Sequence, residues 1–281
     1  MDLVPAAFVE ATINLFLYRS IPHILKLKGK YSLFGLNAYN NRLCWTIVLR
    51  PDGAYETFHY TFKKTTVCPH YAIRNLKNIY GLRVVASIEG WVVPTVLDSR
   101  IRSIQHRLAY FILDLHAGTS EKELAIIAKW TPDWLLISPA ITNPTTTVSA
   151  YTAHRTLKLL VYGNRVVEEP LDFFQVLLQK KFLKLTFCEC FIKTFGTIFE
   201  VWRNNMNLLK GKQIYFSNCN VATAAKAFID EVYRKVAWKE VNDAFQHQIG
   251  ERAITLIIDG SDKMEQRYWF FRGGEIRLIF T

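Results

Sequence analysis

Leu157-Lys158-Leu159-Leu160-Val161-Tyr162, Leu183-Lys184-Leu185-Thr186-Phe187-Cys188 and Gln213-Ile214-Tyr215-Phe216-Ser217-Asn218 recur along the stretch from Trp134 to Phe216. Each run is short and apolar, and a segment of helical spacing separates it from the next. Leu159, Leu185 and Tyr215 lie 26 and 30 residues apart, enough for one strand and one helix and close to the period of a leucine-rich repeat. Strands that alternate with helices at this distance pair in parallel, because a parallel pair needs a crossover of a dozen residues or more.

Around this ladder the pattern predicts strands at 134–137, 156–162, 182–188 and 212–217, with helices near 145–153, 170–180, 194–209 and 221–238. Right-handed crossovers then give an open curved sheet with helices on its outer side. Cys188 and Asn218 stand where a leucine-rich repeat closes its strand with a Cys or Asn buried against the turn. Farther on, Ile254 to Ile258, Tyr268 to Phe271, Gly273-Gly274 and Ile276 to Phe280 read as a strand and a hairpin, an antiparallel cap on the end of the solenoid.

Toward the N-terminus, Ser120-Glu121-Lys122-Glu123 has the form of a capping box that starts a helix carrying Leu124, Ile127 and Ala128. A strand precedes it from Ala109 onward. Val84 to Val93 reads as one or two short strands broken near Gly90, and Ala72, Leu76, Ile79 and Tyr80 fit one face of a helix. Leu43, Trp45, Ile47 and Leu49 alternate with polar or smaller residues, Arg50-Pro51-Asp52-Gly53 supplies a turn, and residues 54–62 alternate again, so a β-hairpin is expected. Before it, residues 4–17, the segment opening at Ser20-Ile21-Pro22, and Tyr31 to Ala38 each carry helical spacing.

The chain of 281 residues is half hydrophobic, which excludes a disordered protein and supplies a sizeable core. Its formal charge of +11 is uneven: residues 1–100 hold 12 Lys and Arg against 6 Asp and Glu, the remainder 23 against 18. Such an excess steers a protein toward acidic partners, but no polybasic run, RNA-binding signature or Cys/His finger assigns it to nucleic acid. The five cysteines, Cys44, Cys68, Cys188, Cys190 and Cys219, are an odd number without a secretory leader pattern. Reduced thiols in the cytoplasm or nucleus are expected. No apolar run approaches 18 residues, so no membrane partner is expected.

Cys188-x-Cys190 with Cys219 is the best metal candidate, yet a structural zinc needs a fourth ligand and no Cys-x-x-Cys or His-x3-His lies nearby. The seven histidines form no His-Glu-x-x-His, and there is no Gly-x-Ser-x-Gly elbow, P-loop or Gly-x-Gly-x-x-Gly loop. The expectation is therefore no catalytic residue, no metal and no cofactor: a binding protein and not an enzyme.

Met1-Asp2-x-Val4-Pro5-x-x-Phe8, then Ile21-Pro22 and Leu25-Lys26-Leu27-Lys28-Gly29-Lys30-Tyr31, resembles the start of a nematode-expanded family of F-box-like proteins. The resemblance implies a degenerate F-box followed by an F-box-associated, leucine-rich-repeat-like region, acting as a substrate-recruiting subunit of a cullin-RING ubiquitin ligase. Val4, Pro5, Phe8, Ile21, Pro22, Leu25 and Leu27 would then face a Skp-type adaptor, and the repeat half would hold an unknown protein target. A ligase-independent interaction scaffold is the alternative, and a basic nucleic-acid binder ranks third.

The resulting expectation is an α/β chain: an F-box-like helical unit over 1–42, a β-rich bridging region over 43–105, and a βα-repeat domain with a C-terminal β cap over 106–281.

Overall fold

The computed structural model describes residues 9, 21–27, 29–41, 43–61, 79–138, 141, 144–153, 156–162, 178, 180–187, 192–219, 239–241, 244–259 and 274–281. The chain clusters into two compact units, Met1–Asp133 and Trp134–Thr281. Both sequence-pattern boundaries, 42/43 and 105/106, fall inside the first.

In the first unit, a short helix α1 (Ile21–Ile24) and the helix α2 (Lys30–Asn41) precede the hairpin of β1 (Leu43–Leu49) and β2 (Tyr55–Thr61). The expected hairpin forms, with Leu49 opposite Tyr55 and Leu43 opposite Thr61. Its loop closes because Gly53 adopts φ +75, a left-handed conformation that other residues resist, while the Asp52 carboxylate accepts from the Ala54 amide at 2.9 Å.

β3 (Ile79–Ala86) pairs in parallel with β1, and β4 (Tyr110–Leu115) in parallel with β3, giving the order β2-β1-β3-β4. The expected helix face through Ile79 and Tyr80 is therefore wrong at its C-terminal end. Both residues are buried in a strand, and their consecutive burial hides the period of two that marks a strand in sequence. The expected strand from Val84 to Val93 likewise ends at Ala86.

One face of this sheet is the core: Trp45 lies opposite Leu82, and Leu82 opposite Phe111, all essentially buried. Helix α3 (Thr95–Ile104) contributes Leu97, Ile101 and Ile104 to the buried interior, and Trp130, beyond α4 (Glu121–Ile127), packs against Phe111 at 6.1 Å. Ser120 caps α4 as its sequence predicts, accepting from the Glu123 amide at 3.3 Å. The buried Glu123 carboxylate accepts from the Val93 amide at 2.7 Å and so anchors the segment entering α3.

The second unit opens with the parallel strands β5 (Trp134–Ile137), β6 (Leu159–Tyr162), β7 (Lys184–Phe187) and β8 (Gln213–Cys219). The helices α5 (Pro144–Thr152) and α6 (Ile192–Asn204) are crossovers where the pattern puts them. The expected helices near 170–180 and 221–238 fall almost wholly outside the described residues, as do Cys188, Cys190 and the segment 268–271.

The antiparallel cap is larger than its sequence suggests. β9 (Lys239–Val241), β10 (Ala244–Ile249), β11 (Arg252–Asp259) and β12 (Gly274–Phe280) extend the sheet in the order β8-β12-β11-β10-β9, every one of these pairs antiparallel.

Leu135, Leu160, Leu185, Ile214, Leu278 and Leu256 form one cross-strand row of the core, each at most 1% exposed. Helix α6 covers the end of this face, with Trp202 against Phe280 at 6.5 Å and both Phe199 and Trp202 against His247. Each unit is thus an open α/β sheet with a parallel part and helices packed on the core face. No described helix is long and apolar enough to cross a membrane.

Candidate interaction surfaces

Of the residues expected to meet an adaptor, Val4, Pro5 and Phe8 lie outside the described residues. Ile21 and Pro22 open α1, and their side chains also lie outside the description. Leu25 is half-buried, and together with the buried Ile24 it seats over Gly35 of α2; a Cβ on Gly35 would meet Ile24 Cγ2 at 2.9 Å. Leu27, two residues on, is 50% exposed. Leu25 and Leu27 thus take different roles, the first inside the helical pair and the second at its surface.

Helix α2 adds two residues the sequence reading did not single out, Leu33 at 68% and Leu36 at 48% exposure. They sit three positions apart, on one face of the helix. Five large aliphatic residues are exposed among the described residues, and three of them fall between Leu27 and Leu36. The apolar run from Tyr31 to Ala38 was the available signal; its outward direction was not.

The first unit's other sheet face carries its polar groups. Asp114 is completely buried, yet Arg83 donates to its Oδ2 through Nη2 and through Nε at 3.1 Å, and His116 Nε2 pairs with Oδ1. Burial pushes this carboxyl up, but His116 and Arg83 together outweigh it and hold Asp114 below the usual carboxylate range. On the same face, the Tyr110 hydroxyl donates to Cys44 Sγ at 2.9 Å. Burial raises both Cys44 and Tyr110, so each keeps its proton at neutral pH and the thiol is a poor nucleophile.

The second unit's other face carries a different group, assembled from three strands. Register sets Lys184 of β7 opposite Gln213 of β8, and Tyr215 of β8 opposite both Thr186 of β7 and Arg277 of β12. Lys184 Nζ stands 5.7 Å and the Arg277 guanidinium 5.1 Å from the centre of the Tyr215 ring, whose hydroxyl donates to Gln213 Oε1. Lys184, Gln213, Tyr215 and Arg277 are all half-exposed. Both cations thus stand within cation–π range of one phenol ring.

Nearby, Lys212 has a structural role. Its ammonium donates to the carbonyls of Leu178 and Lys180 at 2.8 and 3.1 Å and lies over the Phe182 ring, and burial lowers its pKa to about 8.

Among the described residues no group of three or more His, Cys, Asp or Glu side chains could hold a metal ion. In comparisons with known proteins the chain matches no family model, no curated protein and no solved structure.

Proposed function

We propose that this chain is a non-enzymatic protein-interaction module, and specifically a substrate-recruiting F-box-like subunit of a cullin-RING ubiquitin ligase working in the cytoplasm or nucleus. The N-terminal helical segment meets a Skp-type adaptor, and the second unit, a leucine-rich-repeat-like sheet with an antiparallel end cap, holds the target protein.

The observation that carries this reading is the exposure of Leu27, Leu33 and Leu36 within ten residues. Aliphatic side chains gathered on so short a segment mark a partner site more often than chance scatter does. On this reading Leu27 is a direct contact, along with Val4, Pro5, Phe8, Ile21 and Pro22. Leu25 contributes from behind, by setting the packing of α1 on α2.

Calorimetry of the full chain with purified adaptor tests the proposal. Binding is expected in the micromolar range or tighter, about −8 kcal/mol, and Leu27→Ala combined with Leu33→Ala is expected to weaken it at least about tenfold. A folded parent chain that shows no heat at tens of micromolar adaptor discards the ligase subunit and leaves a ligase-independent scaffold.

A further inference from the structure

We propose that one end of the second unit's sheet, where β7, β8 and β11 begin, binds an acidic protein segment, with its carboxylates against Lys181, Lys210 and Arg252 and an aliphatic side chain on Leu183. This rests on the interaction-module reading above and gives the target a chemistry.

Hydrogen bonds draw the cations of this end together. Lys212 Nζ donates to the carbonyls of Leu178 and Lys180, which fastens the turn before β8 to the segment before β7. The Gly211 amide donates to the Phe280 carbonyl at 2.9 Å, so the same turn sits against the last residues of β12. Beyond it, Asn207 accepts from the Lys210 amide through its backbone at 3.4 Å and from Arg252 Nη2 through its side chain at 2.9 Å. Lys180, Lys181, Lys210 and Arg252 thus follow the edge from β7 across β8 and β12 to β11, three strand spacings or about 14 Å. Arg203, near the end of α6, stands four residues before Asn207.

Positive charge is in excess here. Lys181, Arg203 and Lys210 are exposed, and Lys180 and Arg252 are half-exposed. The carboxylates beside them are Glu200 one turn up α6, Glu251 in the turn between β10 and β11, and that of Thr281, the last residue. No member of either set makes an ion pair among the described residues, and with Lys212 these cations outnumber these carboxylates two to one. Asp133, which precedes β5 two strands from β7, is engaged by the Phe111 amide. Asp259 and Glu275 pair at the opposite end of β11 and β12. Asp259 is seven residues from Arg252, about 23 Å along the strand and well beyond a Debye length of about 10 Å at 0.1 M salt. The field at the near end is therefore positive and draws an acidic partner.

Leu183 gives the partner its second property. It is 52% exposed although its backbone is fixed, the amide donating to Leu157 and the carbonyl accepting from Gln213, each at 3.0 Å. An aliphatic side chain held this way among cations suits an apolar residue of a polypeptide. A nucleic-acid strand would use aromatic rings to stack its bases, and those adjoining Leu183 and Arg203, Phe182 and Trp202, are buried.

The test uses the full chain and fluorescein-labelled probes in anisotropy titrations at low ionic strength: a short Glu-rich peptide with one central Leu, its counterpart with Gln for every Glu, its counterpart with Ser for the Leu, and an oligouridylate of similar length. The first probe should bind at least about tenfold more tightly than the Gln counterpart and weaken as salt is added. Lys181→Gln combined with Lys210→Gln should abolish that preference, Lys181→Arg combined with Lys210→Arg should retain it, and Glu251→Gln should strengthen binding several-fold. The Leu probe should surpass the Ser probe several-fold, a difference that Leu183→Ser removes. Lys122→Gln, at an exposed lysine of the first unit, should change nothing.

Equal binding of the Glu and Gln peptides, or a preference that survives the double Gln variant, overturns the proposal. Tighter binding of oligouridylate that this variant loses reassigns the end to nucleic acid, and failure of the folded chain to bind any probe overturns the site. Both substituted lysines are exposed, and circular dichroism and melting establish that each variant is folded. Adaptor calorimetry on the same proteins separates failure here from failure of the ligase reading: a parent that binds adaptor but no acidic peptide loses only this inference.

Discussion

The phenol of Tyr110 reaches from β4 across Gly81 of β3 to Cys44 of β1, and a Cβ on Gly81 would overlap its ring. Glycine in a strand interior ordinarily weakens the strand; here it supplies the space in which the aromatic ring lies, and Tyr80 adds an edge contact at 5.8 Å. Gly81→Val should therefore expel the ring and destabilise the protein by about 1 to 3 kcal/mol, as overpacking does. In urea unfolding, Tyr110→Ser should be less harmful in the Gly81→Val background than alone, a coupling of opposite sign to simple additivity. An unchanged midpoint for Gly81→Val would falsify the placing of Tyr110.

Asp114 gives a pH dependence whose direction follows from its depressed pKa. The folded chain holds this carboxylate charged to lower pH than the unfolded chain does, so its contribution is complete above the ordinary carboxylate value near 4 and is lost as pH falls through the lower folded value. Because Arg83 and His116 both reach solvent, Asp114→Asn should cost on the order of 2 kcal/mol at pH 7. Denaturant titrations at pH 7, 4 and 3 should show the gap between parent and variant narrowing toward acid. A constant gap would assign the acid sensitivity to other groups.

Lys212 predicts the opposite end of the scale. Its folded pKa, about 8, lies below the ordinary lysine value of 10.5, so between those values the unfolded chain binds the extra proton. Stability from this group therefore rises with pH across that window. Lys212→Met removes the donor to Leu178 and Lys180, and should cost about 1 kcal/mol or more at pH 7. The parent's advantage over Lys212→Met should grow between pH 8 and 10, and thermal melts of the two proteins across that range measure it.

The parts of the fold legible in the sequence are those where one local pattern acts alone. Trp45, Ile47 and Leu49 are buried and alternate with half-buried neighbours, as their spacing predicts, and Ser120 caps α4 by a rule that needs only three residues of context. β10 was not legible because His247, a polar residue, stands opposite the buried Ile254 and is accommodated there by Phe199 and Trp202. Lys184, Gln213, Tyr215 and Arg277 form no motif: they are spread over three strands, and only the register brings them together. Leu25 and Leu27 look alike in sequence, and the nearness of Gly35 to one of them is what separates their roles.

The position of β12 fixes an order of events during synthesis. Residues 274–280 follow β9, β10 and β11 in the chain but lie between β8 and β11 in space. The meander of β9 to β11 therefore emerges first and has no strand through which to join β8. Until Leu278 and Phe280 arrive, Ile214 and Ile254 lack their cross-strand partners, and two sheet edges stand open at once. A chain in which residues 274–280 have not yet paired therefore exposes the open strand edges that lead to aggregation.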